Sequence, residues 1–88
     1  MTFEVVFTSG ARRDLNELPI KIALAVVAFC EGPLATDPDK VGKPLQRDLA
    51  GLHSARRGAY RIIYRIDRRV VTVDVIRIRH RADSYHAN

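Results

Sequence analysis

Apolar and polar positions alternate over residues 60–66: Tyr60, Ile62, Tyr64 and Ile66 share one side of a strand, while Arg61, Ile63 and Arg65 share the other. The first set has the character of a core face. If Arg68-Arg69 forms a two-residue turn, a second strand follows in which Val71 faces Ile66, Val73 faces Tyr64 and Val75 faces Ile62, so both strands bury the same side. Past Val75 the phase changes, because Ile76 and Ile78 occupy the other register with Arg77 and Arg79 between them. A bulge at that point turns these arginines toward the arginine side of the hairpin.

Upstream the period changes from two to that of a helix. Residues 3–8, rich in Phe and Val, read as a first strand, and Thr8 or Ser9 can cap a helix in which Ala11, Leu15 and Leu18 recur at i, i+4 and i+7. Arg12, Arg13, Asn16 and Glu17 are left to solvent. Pro19 suits the first turn of a second helix that runs through the apolar stretch 22–30 to a stop at Gly32-Pro33. The apolar surface of that helix covers nearly its whole circumference, which predicts burial against both the sheet and the first helix. Residues 32–51 hold three prolines and the Asp37-Pro38-Asp39 cluster and read as a loop with at most one helical turn, and 52–57 begins the next strand. The expected architecture is α+β: an N-terminal strand and a two-helix hairpin packed on one face of a four-stranded, mainly antiparallel sheet, the other face open. At 88 residues the chain is expected to form a single domain spanning 1–88.

Charge changes this picture more than composition does. Residues 1–40 carry four Lys/Arg against six Asp/Glu, whereas residues 41–88 carry eleven against four. Twelve of the fifteen cations are arginine, whose planar fork suits bidentate contact with phosphate. A polyanion partner is the functional reading, and a solvated basic face is the plain one. Cys30, the single cysteine, sits in an apolar run as a small hydrophobe, consistent with a reducing cytoplasm. The N-terminus lacks the basic start of a signal peptide, and the longest uncharged apolar run is nine residues against the roughly 20 that span a bilayer. No secretion, membrane partner or transmembrane segment is expected.

Nine arginines fall between positions 56 and 81, seven of them on expected strands or strand ends, where a rigid sheet can aim several guanidinium groups at one point. RNA cleavage by the adjacent 2′-hydroxyl requires removal of that proton, stabilisation of charge on phosphorus and a proton for the leaving oxygen. Arginine serves the second need. His80, Tyr85, His53 and Asp74 are the candidates for the proton transfers, each with a plainer alternative. Arg65 can pair with Asp74 across the sheet, His53 can be an exposed loop histidine, and Tyr85 can anchor the tail. The histidines and Cys30 show no metal-ligand spacing, and there is no phosphate-binding glycine loop or nucleophile elbow, so neither metal nor cofactor is expected.

The chain resembles the RelE/ParE superfamily over nearly its whole length. The residues that carry the resemblance are Ala11-Arg12-Arg13-Asp14-Leu15, Leu18-Pro19, Gly42-Lys43-Pro44-Leu45, and the run from Leu49 through Arg56-Arg57-Gly58-Ala59-Tyr60-Arg61 to Tyr64. Val73-Asp74-Val75-Ile76-Arg77-Ile78-Arg79-His80-Arg81 and Ser84-Tyr85 complete it. The resemblance implies a toxin neutralised by a cognate RelB-like antitoxin, its RelE-like members cutting mRNA in the A site of the 70S ribosome without metal. By matching motif it places Arg61, Arg79, Arg81, His80 and Tyr85 in catalysis, with Arg56, Arg57, His53, Lys43 and Arg47 toward RNA. Some relatives carry lysines just before the Tyr-Arg motif where this chain has Leu52 and Ser54, which leaves the general base unassigned, with Lys43, expected in a loop, as a substitute. The alternatives are a ParE-like gyrase poison without catalysis and a purely interacting module whose arginines bind an acidic antitoxin segment.

Overall fold

The computed structural model describes residues 2–83. Strand β1 (Glu4–Phe7) leads into helix α1 (Ser9–Asn16) and helix α2 (Ile20–Phe29), followed by a π-helical turn (Cys30–Leu34) and a short helix α3 (Pro38–Val41). Strands β2 (Gly42–Pro44), β3 (His53–Arg57), β4 (Tyr60–Asp67) and β5 (Thr72–His80) complete a sheet of order β1-β5-β4-β3-β2. All pairs are antiparallel except β1 with β5, which is parallel. The sheet thus has five strands and not the expected four. The added strand, β2, is three residues long, and its Pro44 is tolerated because an edge strand need not donate on its outer side.

The core lies between the helices and one face of the sheet. Tyr64, Ile62, Val73 and Val75 are fully buried there with Ala11, Val26, Cys30 and Leu34. Burial also explains why Gly32-Pro33 does not stop the second helix: Leu34 and Ala35 are buried, and continuing the helical path carries them into the core. The π turn accommodates Pro33, whose missing N–H would break an α-helical ladder. Core burial pushes the Cys30 thiol up to about 12, through loss of solvation and then the neighbouring Glu31 charge. The expectation that α2 is buried all round is corrected. Ile20 is 70% and Leu24 62% exposed, so α2 covers the sheet with one face and leaves an apolar stripe outward.

The β4–β5 hairpin keeps the expected faces in a different register. Ile66 pairs with Val73, Tyr64 with Val75 and Ile62 with Ile78. The turn is longer than two residues because the Asp67 Oδ1 accepts hydrogen bonds from the backbone N–H groups of Arg69 and Val70, and Val71 takes a left-handed φ of 57°. A shift of two residues preserves the side each residue faces, which is why the pattern of buried positions survived the wrong turn length.

The segment 38–44 is held down by Tyr64. Its hydroxyl donates to the Pro38 carbonyl at 2.6 Å, and burial, aided by the Asp39 charge, pushes its pKa up to about 12. Gly42 lies so close that a Cβ there would collide with the Tyr64 hydroxyl and come within 2.7 Å of the Ser54 carbonyl oxygen. We expect Tyr64→Phe to cost about 1–3 kcal/mol by leaving the Pro38 carbonyl without its donor. Gly42→Ala is expected to cost more, because β2 must move off β3. Urea unfolding midpoints check both, and unchanged midpoints would contradict the packing described.

Candidate functional site at the arginine face

The bulge is where the basic face is built. Tyr64 pairs with Val75 and Ile63 with Arg77, so Ile76 is the extra residue on β5. Both ends of α1 hold that irregular segment. At the N-terminal end the Thr8 Oγ1 accepts from the Ala11 N–H as the helix cap, and the same hydroxyl lies 3.0 Å from the carbonyl oxygens of Val75 and Ile76, to which it donates. Gly10 lets the helix approach, since a Cβ would stand 3.0 Å from the Arg77 Cδ. At the other end the Asp14 carboxylate accepts from the Arg77 Nε at 2.8 Å, from its Nη2 at 3.0 Å and from the Ile78 backbone N–H at 2.8 Å.

The last of these bonds has a topological cause. Strand β1 pairs with β5 only over Thr72 to Val75, so the outer edge of β5 beyond that point has no strand beside it, and the Ile78 amide finds Asp14 instead. Burial alone would raise the Asp14 pKa. The hydrogen bonds from Arg77 and Ile78, together with the charges of Arg77 and Arg79, outweigh it and hold the carboxyl below the ordinary carboxylate range. Sequence reading passed over Asp14. The signal was present: position 14 lies three residues after Ala11 and four before Leu18, on the apolar side of the helix, where an acid needs a partner.

With the bulge in place, the ladder brings Arg56, Arg61 and Arg79 into one row across β3, β4 and β5, since Arg56 pairs with Arg61 and Arg61 with Arg79. Cross-strand partners project from the same face with Cβ atoms about 4.5–5.5 Å apart, and like charges placed so are destabilising. On the same side, Lys43 pairs with Ser54, so it stands on β2 and not in a loop. Lys43, Ser54, Arg56 and Arg61 border a pocket of about 610 Å³ whose apolar wall includes Pro44 and Leu45. A second depression, of about 350 Å³ at the outer edge of β5, takes in Arg79, His80, Tyr60, Asp14 and Glu17.

Other candidates lie elsewhere. His80 pairs with Tyr60, whose ring packs against the core, so His80 stands on the helix side of the sheet; the two rings meet edge to face at 5.2 Å. Its Nδ1 accepts from the Ala82 N–H, which leaves the proton of a neutral ring on Nε2. His53 is on β3 rather than in a loop, stacked on Tyr64 at 5.4 Å, with Nδ1 buried and without a hydrogen-bond partner among the described residues. Arg57 borders the groove beside Ala25 and Phe29 of α2. Arg47 sits in the 3₁₀ turn Arg47–Leu49 with φ 59°, outside the lining of the 610 Å³ pocket. Arg81 is exposed and donates its backbone N–H to the Ala59 carbonyl at 2.7 Å. Tyr85 lies outside the described residues. Arg65 pairs with Asp74 at 3.0 Å and Arg68 with Asp39 at 2.6 Å, so these two, like Arg77, are engaged by carboxylates. Among the described residues no three His, Cys, Asp or Glu side chains gather as a metal site, and no helix is long and apolar enough to cross a membrane.

Comparison with known proteins gives this geometry its context. A family model described as the ParE toxin of type II toxin–antitoxin system, parDE, matches residues 5–85. The chain is 55% identical to Toxin RelG of Mycobacterium tuberculosis over 97% of its own length and 98% of the relative's. It is 51% identical to Toxin RelE of the same organism, over 98% and 89% respectively. Its fold superimposes on a chain of the RelBE2 toxin–antitoxin complex of M. tuberculosis with a TM-score of 0.88 at 52% identity, over 91% of this chain and 99% of that one.

Because the Asp14 pKa is lower folded than unfolded, the contribution of its contacts is present in full above the unfolded carboxyl's pKa and is lost as pH falls through the folded value. Asp14→Asn is expected to lower stability at neutral pH by about 1–3 kcal/mol and to flatten the acid limb of the stability profile. Denaturation midpoints measured from neutral to acid pH check this. Parallel profiles for the two proteins would contradict it.

Proposed function

The chain belongs to the ParE toxin family of type II toxin–antitoxin systems, within the RelE/ParE superfamily, and from that premise we propose that it is a RelE-like, ribosome-dependent endoribonuclease. In this reading it works in the cytoplasm, cuts mRNA in the A site of the 70S ribosome, and is neutralised by a RelB-like antitoxin. The observation that carries the proposal is the Arg56–Arg61–Arg79 row. Three guanidinium groups in adjacent ladder positions repel one another, and like charges directly opposite across a sheet are destabilising. Such a row suits an anion with several oxygens, and a phosphodiester passing through a doubly charged, five-coordinate state gains most from fixed donors that need no rearrangement.

Arg61 and Arg79 are assigned to the scissile phosphate and its transition-state charge, Arg56 and Lys43 to the adjoining RNA. Arg81 flanks the nucleotide path in this reading, Arg57 stands on the helix side away from it, and Tyr85 stacks on a base, as the family resemblance implies. The ribosome supplies what a small, shallow surface lacks: a fixed RNA conformation in which the 2′-oxygen, the phosphorus and the leaving 5′-oxygen are in line. An antitoxin segment that is acidic or lies across the row neutralises the toxin by occupying it.

The family model that matches carries the ParE description, which favours one second reading, a gyrase poison without catalysis. One assay separates the two. On ribosomes programmed with a defined mRNA, primer extension is expected to map a cut within the A-site codon that free RNA does not show. Arg61→Ala is expected to slow the cut by about 10²–10³-fold, the loss typical for one transition-state donor. Uncut mRNA together with blocked gyrase supercoiling would overturn the nuclease reading. The like-charge argument adds a stability readout: Arg56→Thr raises the unfolding midpoint while it slows cleavage, whereas a lowered midpoint would show the row to be structural.

A further inference from the structure

The guanidinium row leaves the proton transfers unassigned, and His80 stands across the sheet from Arg61. Resting on the nuclease reading above, we infer that Lys43 is a catalytic residue, its ammonium giving the proton that the leaving 5′-oxygen requires. Three observations support this. Lys43 and Arg61 border the same pocket, so a phosphate that Arg61 holds there is flanked by both. Apart from the guanidinium groups, the polar side chains lining that pocket are Lys43 and Ser54, and of the two the ammonium carries the full charge and three donor hydrogens. The backbone of Lys43 is fixed, because Gly42 is pressed against the Ser54 carbonyl and the Tyr64 hydroxyl, and Tyr64 in turn holds Pro38.

The step balances without a metal or cofactor. The 2′-oxygen bonds to phosphorus and its proton passes to solvent water. The bond from phosphorus to the 5′-oxygen breaks with its electron pair on that oxygen, which takes a proton from the Lys43 Nζ. The products are a 2′,3′-cyclic phosphate and a 5′-hydroxyl, and the neutral amine takes a proton back from water. Arginine cannot replace lysine in this role, since a guanidinium holds its proton too tightly.

The register supplies a decisive test. Lys43 and Ser54 are cross-strand partners on the same face, so an amine moved from one position to the other stays in the pocket. Lys43 is exposed, and its variants are expected to melt within a degree or two of the wild type. On programmed ribosomes at saturating concentration, Lys43→Ala is expected to slow cleavage by about 10²-fold or more, the usual yield of a positioned acid. Lys43→Arg is expected to remain as slow as Lys43→Ala. Adding Ser54→Lys to Lys43→Ala is expected to restore the rate to within about tenfold of wild type.

Wild-type rates in Lys43→Arg would show that charge alone suffices and overturn the proton-donor assignment. Wild-type rates in Lys43→Ala, or no recovery in the Ser54→Lys double variant, would overturn it as well while leaving the nuclease reading intact, because the wild-type chain and Arg61→Ala report on that reading separately. A wild-type chain that leaves ribosome-bound mRNA uncut removes both.

Discussion

The arginine face depends on one carboxylate. Asp14 accepts three hydrogen bonds from two consecutive residues of β5, and those residues follow the one irregularity in that strand. Without a partner there, the outer edge of β5 would present an amide to solvent and its bulge could migrate along the strand. With Asp14 on one side and the Thr8 hydroxyl on the other, the extra residue is confined to Ile76. Loss of the bulge, or its migration past Arg79, would interchange the two faces of β5 there, taking Arg79 off the row and sending Ile78 out of the core. Fold and candidate site are therefore fixed by the same contacts.

A basic sheet held this way is a compromise between cohesion and display. Arg65, Arg68 and Arg77 are tied to acids and act as struts, while Arg56, Arg61 and Arg79 stand side by side in the row. Ile63, in the ladder between Ser54 and Arg77 on the arginine side, is only 5% exposed, so this face carries a covered apolar position among its cations. On the other side of the molecule, α2 leaves Ile20 and Leu24 in solvent, one turn apart, and the groove beside it is bordered by small alanines and Arg57.

Much of this was legible in the chain because a period of two is a strong signal when one face is buried. Tyr60, Ile62, Tyr64 and Ile66 marked the core side of β4, and the phase change after Val75 located the bulge. Thr8 was one of two candidate helix caps, with Ser9, and the Arg65–Asp74 pair followed from placing both on one face. The rest failed for identifiable physical reasons. The hairpin turn is built from an aspartate side chain and a left-handed valine rather than glycine. Strand β2 is too short for a periodic signal, so Lys43 read as a loop residue. The Gly32-Pro33 stop was overridden by the burial of Leu34. The position of His80 could not be read from its neighbours in sequence, because adjacent residues on a strand face opposite ways, and that alone separates it from Arg79.

The central claim, that Asp14 acts on function by placing the arginine row, is tested most directly by a double-mutant cycle in ribosomal mRNA cleavage, using Asp14→Asn and Arg79→Ala below their melting range. If Asp14 positions Arg79, Asp14→Asn slows cleavage by about tenfold or more in the wild-type background and has little further effect once Arg79 is alanine. The same factor in both backgrounds, or no effect of Asp14→Asn on the rate, would contradict the account.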